Sequence, residues 1–139
     1  MCGIVGYCGK GSAAPVVLEA LKCLEYRGYD SAGMAALDSG QLVIRKDVGK
    51  IDEVNQKQDL ENLPGNIAIG HTRWATHGAV TPSNAHPHLD CHGQVAVVHN
   101  GIIENYQVLR HKLITRGCHF SSETDTEVIP HLLEEHMVN

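Results

Sequence analysis

With 139 residues, a net charge of −5, 42% apolar and 19% charged residues, the chain can bury one core and lacks the composition of a disordered protein. No basic run marks a nucleic-acid surface and no apolar stretch is long enough to span a bilayer, so neither nucleic acid nor membrane is an expected partner. Met1-Cys2-Gly3 leads straight into strand-like sequence rather than a charged signal region, which points to a cytoplasmic protein. Five cysteines, an odd count without dense spacing, read as reduced thiols.

The alternation of Ile4, Val5 and Tyr7 predicts a first strand, closed by a plain glycine turn at residues 9–11 that lacks a nucleotide-binding pattern. Ser12 is placed to cap a helix with Pro15 in its first turn and Val17, Leu21 and Leu24 on one face; Gly28 would stop it. Cys23 falls within that apolar pattern and is expected in the core. Residues 32–37 and 41–46 flank Asp38-Ser39-Gly40 as a hairpin. A mostly polar helix over 51–60 ends before Leu63-Pro64-Gly65, and residues 66–70 form a short buried strand. Residues 79–90, with Pro82 and Pro87, predict a long irregular loop of the kind that usually carries function. A strand over 94–98 precedes a helix over 105–116 closed by Gly117, and Thr124 or Asp125 would cap a last helix reaching His136. Hairpin-joined strands with segregated helices indicate α+β or layered α/β rather than a doubly wound sheet. No repeat or linker divides the chain.

Cys2 lies where removal of Met1 would leave a thiol and a free α-amine on one residue, so an N-terminal nucleophile would carry its own base. Such an amine titrates near ~7.7–8.0 and a thiol near ~8.5, so neutral amine and thiolate coexist close to neutral pH. The plain alternative is an incidental residue at a frayed end. Asn100-Gly101, directly after a strand, offers a side-chain amide and a close backbone N–H for an oxyanion, or is simply a turn. Arg73-Trp74, in a polar loop, offers a carboxylate fork beside a flat ring, or is a surface arginine beside a half-buried tryptophan. Asp125 could receive a substrate ammonium or cap a helix. The run from His86 to His92 has zinc-binding residue types but not the paired spacing of a finger, so no metal site is assigned. Cys8 and Cys118 have no legible partner, and His111 and His119 read as surface or capping residues.

Six motifs then point the same way. Cys-Gly-Ile-Val-Gly at 2–6, Leu-Glu-Tyr-Arg-Gly-Tyr-Asp-Ser-Ala-Gly at 24–33 and His-Thr-Arg-Trp-Ala-Thr-His-Gly at 71–78 are followed by Asn-Ala-His-Pro-His at 84–88, His-Asn-Gly-Ile-Ile-Glu-Asn at 99–105 and Ser-Glu-Thr-Asp-Thr-Glu at 122–127. Together they resemble the N-terminal glutamine-hydrolysing domain of the glutamine–fructose-6-phosphate aminotransferase family, class II amidotransferases with an N-terminal nucleophile. The resemblance implies a four-layer αββα sandwich of antiparallel sheets and a glutaminase domain over residues 2–139. It also implies that the C-terminal part of that domain lies outside the chain, as does a sugar-phosphate isomerase domain.

By the same resemblance, Cys2 matches the nucleophile, and Asn100 and Gly101 the oxyanion hole. Arg73 matches the clamp on the substrate α-carboxylate, and Asp125 with Gly101 the holder of its α-ammonium. Trp74, Thr76 and His77 match the closing loop, and Arg27 and Gly28 the support of the nucleophile. The implied substrate is L-glutamine, with no cofactor, ammonia passed to the isomerase domain, and a homodimeric whole enzyme. Two other readings stand beside it. One is the glutaminase domain of another class II amidotransferase; the other is a catalytically silent fragment that serves binding or assembly.

Overall fold

The period-2 alternation of a strand sorts the central residues onto two faces of very different chemistry. The computed structural model describes residues 1–75 and 78–137. Its main sheet contains β1 (Gly3–Cys8), β2 (Ser31–Asp38), β3 (Gln41–Val48) and β4 (Ile67–Arg73) in the order β1-β4-β2-β3, antiparallel throughout. Ala32, Met34 and Ala36 of β2 and Ala68 of β4 face α1 (Ala13–Leu24) and α2 (Ile51–Gln58). They close a core with Ala13, Ala14, Val17, Leu18, Leu21, Ile51, Val54, Leu60 and Leu63. The opposite parity, His71 and Arg73 of β4 with Ser31 of β2, is also buried, but under polar chain.

That second face is covered by the segment leading into β5 (His88–Leu89), which pairs with β6 (Ala96–Val97). Beyond this ladder pack α4 (Val128–Met137) and, against it, α3 (Tyr106–Thr115). The layers therefore run helix, sheet, sheet, helix. This is the α+β sandwich expected of an N-terminal-nucleophile hydrolase. Lys46 on β3 fastens the covering segment: its Nζ donates to the carbonyls of Ser83 at 3.2 Å, Ala85 at 2.5 Å and Pro87 at 2.9 Å.

The hairpin, both early helices and the helix at 106–115 lie within a few residues of their expected bounds. Ser39 (φ 50°) and Gly40 (φ 82°) supply the paired positive φ angles of a two-residue hairpin turn. Gly117 (φ 98°) closes α3, with Cys118 N–H on the Leu113 carbonyl and Gly117 N–H on that of Ile114.

Other expectations are corrected. Cys23 is exposed, because it lies about 200° round the helix from the buried Leu21. Ser12 holds the N-cap position without a side-chain cap bond; Ala13 N–H instead reaches the Gly65 carbonyl at 3.1 Å. Gly28 does end the helical run, as the extended residue after a 3-10 turn at Glu25–Arg27, and it is small because the backbone of Arg73 and Trp74 passes against it. The strand expected over 66–70 continues to Arg73, so this arginine ends a strand instead of standing in a loop. The strand expected over 94–98 shrinks to two residues. Neither the Thr124 hydroxyl nor the Asp125 carboxylate caps α4; they bind His88 and the Ile103 N–H instead.

A Cβ on Gly70 would sit 2.6 Å from Leu21 Cδ1 and 2.7 Å from Val17 Cγ1, whereas one on Gly11 would meet nothing within 4 Å. Gly70→Ala is expected to lower stability in urea by about 1–3 kcal/mol through overpacking of α1 on the sheet. Gly11→Ala should stay within about 0.5 kcal/mol of the parent; equal effects would contradict this interface.

Candidate active site

Gly3 pairs with Thr72 across the β1–β4 ladder and lies tight against Leu24 of α1, which fixes the path of the chain entering at Cys2. The Cys2 thiol accordingly lies along the Trp74 backbone, with the Trp74 N–H donating to Sγ at 3.3 Å and Sγ 3.6 Å from the Trp74 carbonyl. The carbonyl of Cys2 accepts the Asn100 side-chain amide at 3.1 Å. A cavity of about 440 Å³ opens here, lined by Cys2, Arg27, Arg73, Trp74, Asn100, Gly101 and Asp125 among others. Gly28 lies behind the lining against Arg73 and Trp74. Thr76 and His77 fall outside the described residues.

Each lining group is held by neighbours. Asn100 Oδ1 receives His71 Nε2 at 2.8 Å, which sets the amide so that Nδ2 faces Cys2. Gly101 has φ 144°, and a Cβ there would lie 2.9 Å from His99 Nε2, so the position demands glycine. Arg73 is 4% exposed, which overturns the surface-arginine alternative; its Nη1 donates to the Ala79 carbonyl at 3.3 Å. Asn84 steadies that carbonyl at 2.9 Å and accepts the Glu123 N–H at 2.9 Å, which ties the chain at Ala79 to the Asp125 segment. Asp125, also buried, accepts the Ile103 N–H at 2.7 Å and so anchors the chain just after Gly101. Trp74 is half exposed, with the Tyr29 ring edge-on at 5.4 Å, and the N–H of the next residue, Ala75, is held by Asp30.

Behind the cavity the two sheets meet on imidazoles. His71 stacks on His86 with centroids 4.2 Å apart, and His86 meets His88 edge-on at 4.6 Å. The Thr126 hydroxyl bridges His86 Nε2 at 3.1 Å and His99 Nδ1 at 3.2 Å, while Thr124 takes His88 Nε2 at 3.0 Å. Burial drives His71 down to about 4 and His88 to about 3, and pushes His86 lower still, its imidazole neighbours adding to the effect. These rings are neutral near pH 7, and with Nε2 of His86 on Thr126 and Nε2 of His88 on Thr124 they act as packing and hydrogen-bonding groups between the sheets. Reading residues 86–92 as one cluster missed this role. His71 was also missed as a positioning residue; Ile67 and Ile69 on the same face of β4 are exposed and half-buried, so strand spacing gave no signal of its burial under the second layer.

Residues 58–138 match the family described as a glutamine amidotransferase domain, and the chain belongs to that family. The relatives most similar in sequence include glutamine–fructose-6-phosphate aminotransferases. That of Pyrococcus horikoshii is 59% identical over 137 residues, and that of Methanothermobacter thermautotrophicus 60% over 138; in each case 99% of this chain is matched to 23% of the relative. The chain thus spans about a quarter of the length of these relatives. Among solved structures, glutamine phosphoribosylpyrophosphate amidotransferase from B. subtilis superposes with a TM-score of 0.80 at 34% identity, over 94% of this chain and 29% of that one. A second, a regulatory enzyme of purine biosynthesis, gives 0.81 at 35% identity and 94% of this chain.

The histidine layer makes stability pH-dependent. Unfolded, these rings titrate near ~6.5, so on acidification the unfolded chain takes up protons that the folded chain refuses. Stability should be complete above pH ~6.5 and fall toward pH 5, by roughly 1.4 kcal/mol per pH unit for each fully titrating ring. Urea titrations across that window measure the slope, and a flat profile would contradict neutral burial.

Proposed function

We propose that this chain hydrolyses L-glutamine to glutamate and ammonia, with Cys2 as nucleophile once Met1 is removed. The observation that carries the proposal is the convergence of Cys2, Asn100, Gly101, Arg73 and Asp125 on one cavity of about 440 Å³. The Cys2 α-amine, released by loss of Met1, accepts the thiol proton, and the thiolate attacks the side-chain amide carbon. The tetrahedral oxyanion is met by Asn100 Nδ2, whose second hydrogen is not used by the Cys2 carbonyl, and by the Gly101 N–H. Collapse expels ammonia, with the α-ammonium returning the proton, and leaves a γ-glutamyl thioester. Water, deprotonated by the same amine, then releases glutamate. Arg73 takes the substrate α-carboxylate by its planar fork, and Asp125 its α-ammonium. Trp74, with Thr76 and His77, closes over the bound amino acid, and Arg27 with Gly28 supports the nucleophile from behind.

The ammonia would be consumed by a sugar-phosphate isomerase domain that makes glucosamine 6-phosphate from fructose 6-phosphate. Support comes from the names of the similar aminotransferases and from the fraction of their length that this chain spans. Residues 2–139 are then the ammonia-producing part of a larger enzyme.

A glutamine-analogue electrophile followed by intact mass spectrometry tests the assignment. One adduct on Met-less chain, localised to Cys2 and absent in Cys2→Ala, is the expected result; a properly trimmed chain that takes up no label would refute an assembled site. In steady-state glutaminase assays, Asn100→Ala should lower kcat by ~10²–10³-fold. Arg73→Lys should act mainly by raising the KM for glutamine, because the bidentate fork is lost.

A further inference from the structure

In a second cavity that shares no lining residue with the one at Cys2, four potential ligands converge that are scattered in the sequence. The side-chain ligand atoms of Cys91, Cys118, His131 and Glu134 all lie within 4.8 Å of one another. Cys91 follows β5, Cys118 directly follows the Gly117 turn that ends α3, and His131 and Glu134 share one face of α4 at i, i+3 spacing. The cavity they border measures about 640 Å³. We infer that this cluster is a zinc-binding site, a structural staple that joins α3, α4 and the β5–β6 ladder.

The residue types and distances support this. Two thiolates and an imidazole are the ligand set that favours zinc over the hard cations. Zinc–sulfur and zinc–nitrogen bonds of about 2.3 and 2.0–2.1 Å at a tetrahedral angle put sulfur and nitrogen about 3.5 Å apart. Cys91 Sγ lies 3.5 Å from His131 Nδ1, and Glu134 Oε2 lies 3.7 Å from the same nitrogen. A closed four-ligand site of this kind is structural rather than catalytic.

The orientation of His131 is the second observation. The ring is 1% exposed and its Nε2 has no hydrogen-bond partner, yet it faces Glu127 Oε1 at 3.8 Å. A proton on Nε2 directed at this carboxylate leaves the Nδ1 lone pair pointing at Cys91. Carboxylate behind imidazole, with the other nitrogen toward the metal, is the usual supporting arrangement of a zinc-bound histidine. Glu127 is itself fixed by N–H and hydroxyl donors from Ser121 and Ser122. The neighbouring trio of Asp90, His92 and Glu134 is the weaker candidate. It offers no thiolate, and Asp90 already holds three backbone N–H groups, Oδ1 those of Gln94 and Val95 at 2.7 Å and Oδ2 that of His92 at 3.3 Å, where Glu134 holds one, from Cys91 at 3.2 Å, beside the His92 ring.

The test is metal content of the protein purified under reducing conditions without chelator, after equilibration with trace zinc and dialysis. One zinc per chain is expected, lost in the Cys91→Ser/Cys118→Ser double variant and kept in Cys23→Ser, whose thiol is exposed elsewhere. Titration with cobalt(II) should give the intense bands of tetrahedral thiolate-bound cobalt in the parent, weakened in His131→Gln. Parent zinc no higher than in the double variant, cobalt spectra without thiolate bands, or a Cys91–Cys118 disulfide in place of metal would each overturn the assignment. The cobalt spectrum of the parent decides the question even if a variant fails to fold.

Discussion

The antiparallel pairing of β1 on β4 is the constraint on which the rest of the site depends. Its register, with Gly3 opposite Thr72 and Ile4 opposite His71, puts Gly3 and Val5 toward α1 and leaves Cys2 on the parity shared by His71 and Arg73. A slip of one residue would turn Cys2 into the apolar helical layer and Gly3 out of it. The register is held from both sides, since α1 packs down on Gly3 and Gly70, where larger side chains would collide. The apolar core is thus what aims the terminus, although no core residue touches the cavity.

The opposite face works by different physics. Between the two sheets lie His71, His86, His88, Thr124, Thr126 and the Lys46 ammonium, in place of the aliphatic layer that ordinarily joins packed sheets. Each of the three imidazoles is bonded through Nε2 while its buried Nδ1 finds no partner, and the cost of burial appears in their titration. Burial lowers Lys46 to about 8, Glu127 opposing and Arg73 reinforcing, while three carbonyls hold its charged head. In return the layer is directional. It fixes the orientation of the Asn100 amide and the path of the chain on either side of Asp125, which packing of methyl groups alone would not do.

Local pattern revealed those parts of the molecule that local physics decides. The hairpin around Ser39-Gly40, the apolar stripe of α1 and the Gly117 cap follow from neighbours in sequence, and the motif resemblance pointed to the residues that line the cavity. What escaped is what depends on distant partners. Arg73 reads as loop because a strand ending His71-Thr72-Arg73 is polar; Thr72 is buried on the α1 side, and it is the second layer that buries His71 and Arg73. Asp125 reads as a cap because its real partner, the Ile103 N–H, is 22 residues away. Cys91 and His131, 40 residues apart, carry no joint signal at all until α4 folds back along β5 and β6.

The sheet order also has a consequence for the time course of synthesis. β2 and β3 pair through a two-residue turn, but β1, which precedes both in the chain, must wait for β4. At roughly 5–20 residues per second, the interval between Gly3 and Thr72 lasts about 3–14 s on the ribosome. Through that interval the residues leading into β1 have no partner strand. Once β4 arrives, the same residues close into the wall of a cavity. The topology thereby makes the cavity wall to which Cys2 contributes one of the last parts of the main sheet to form.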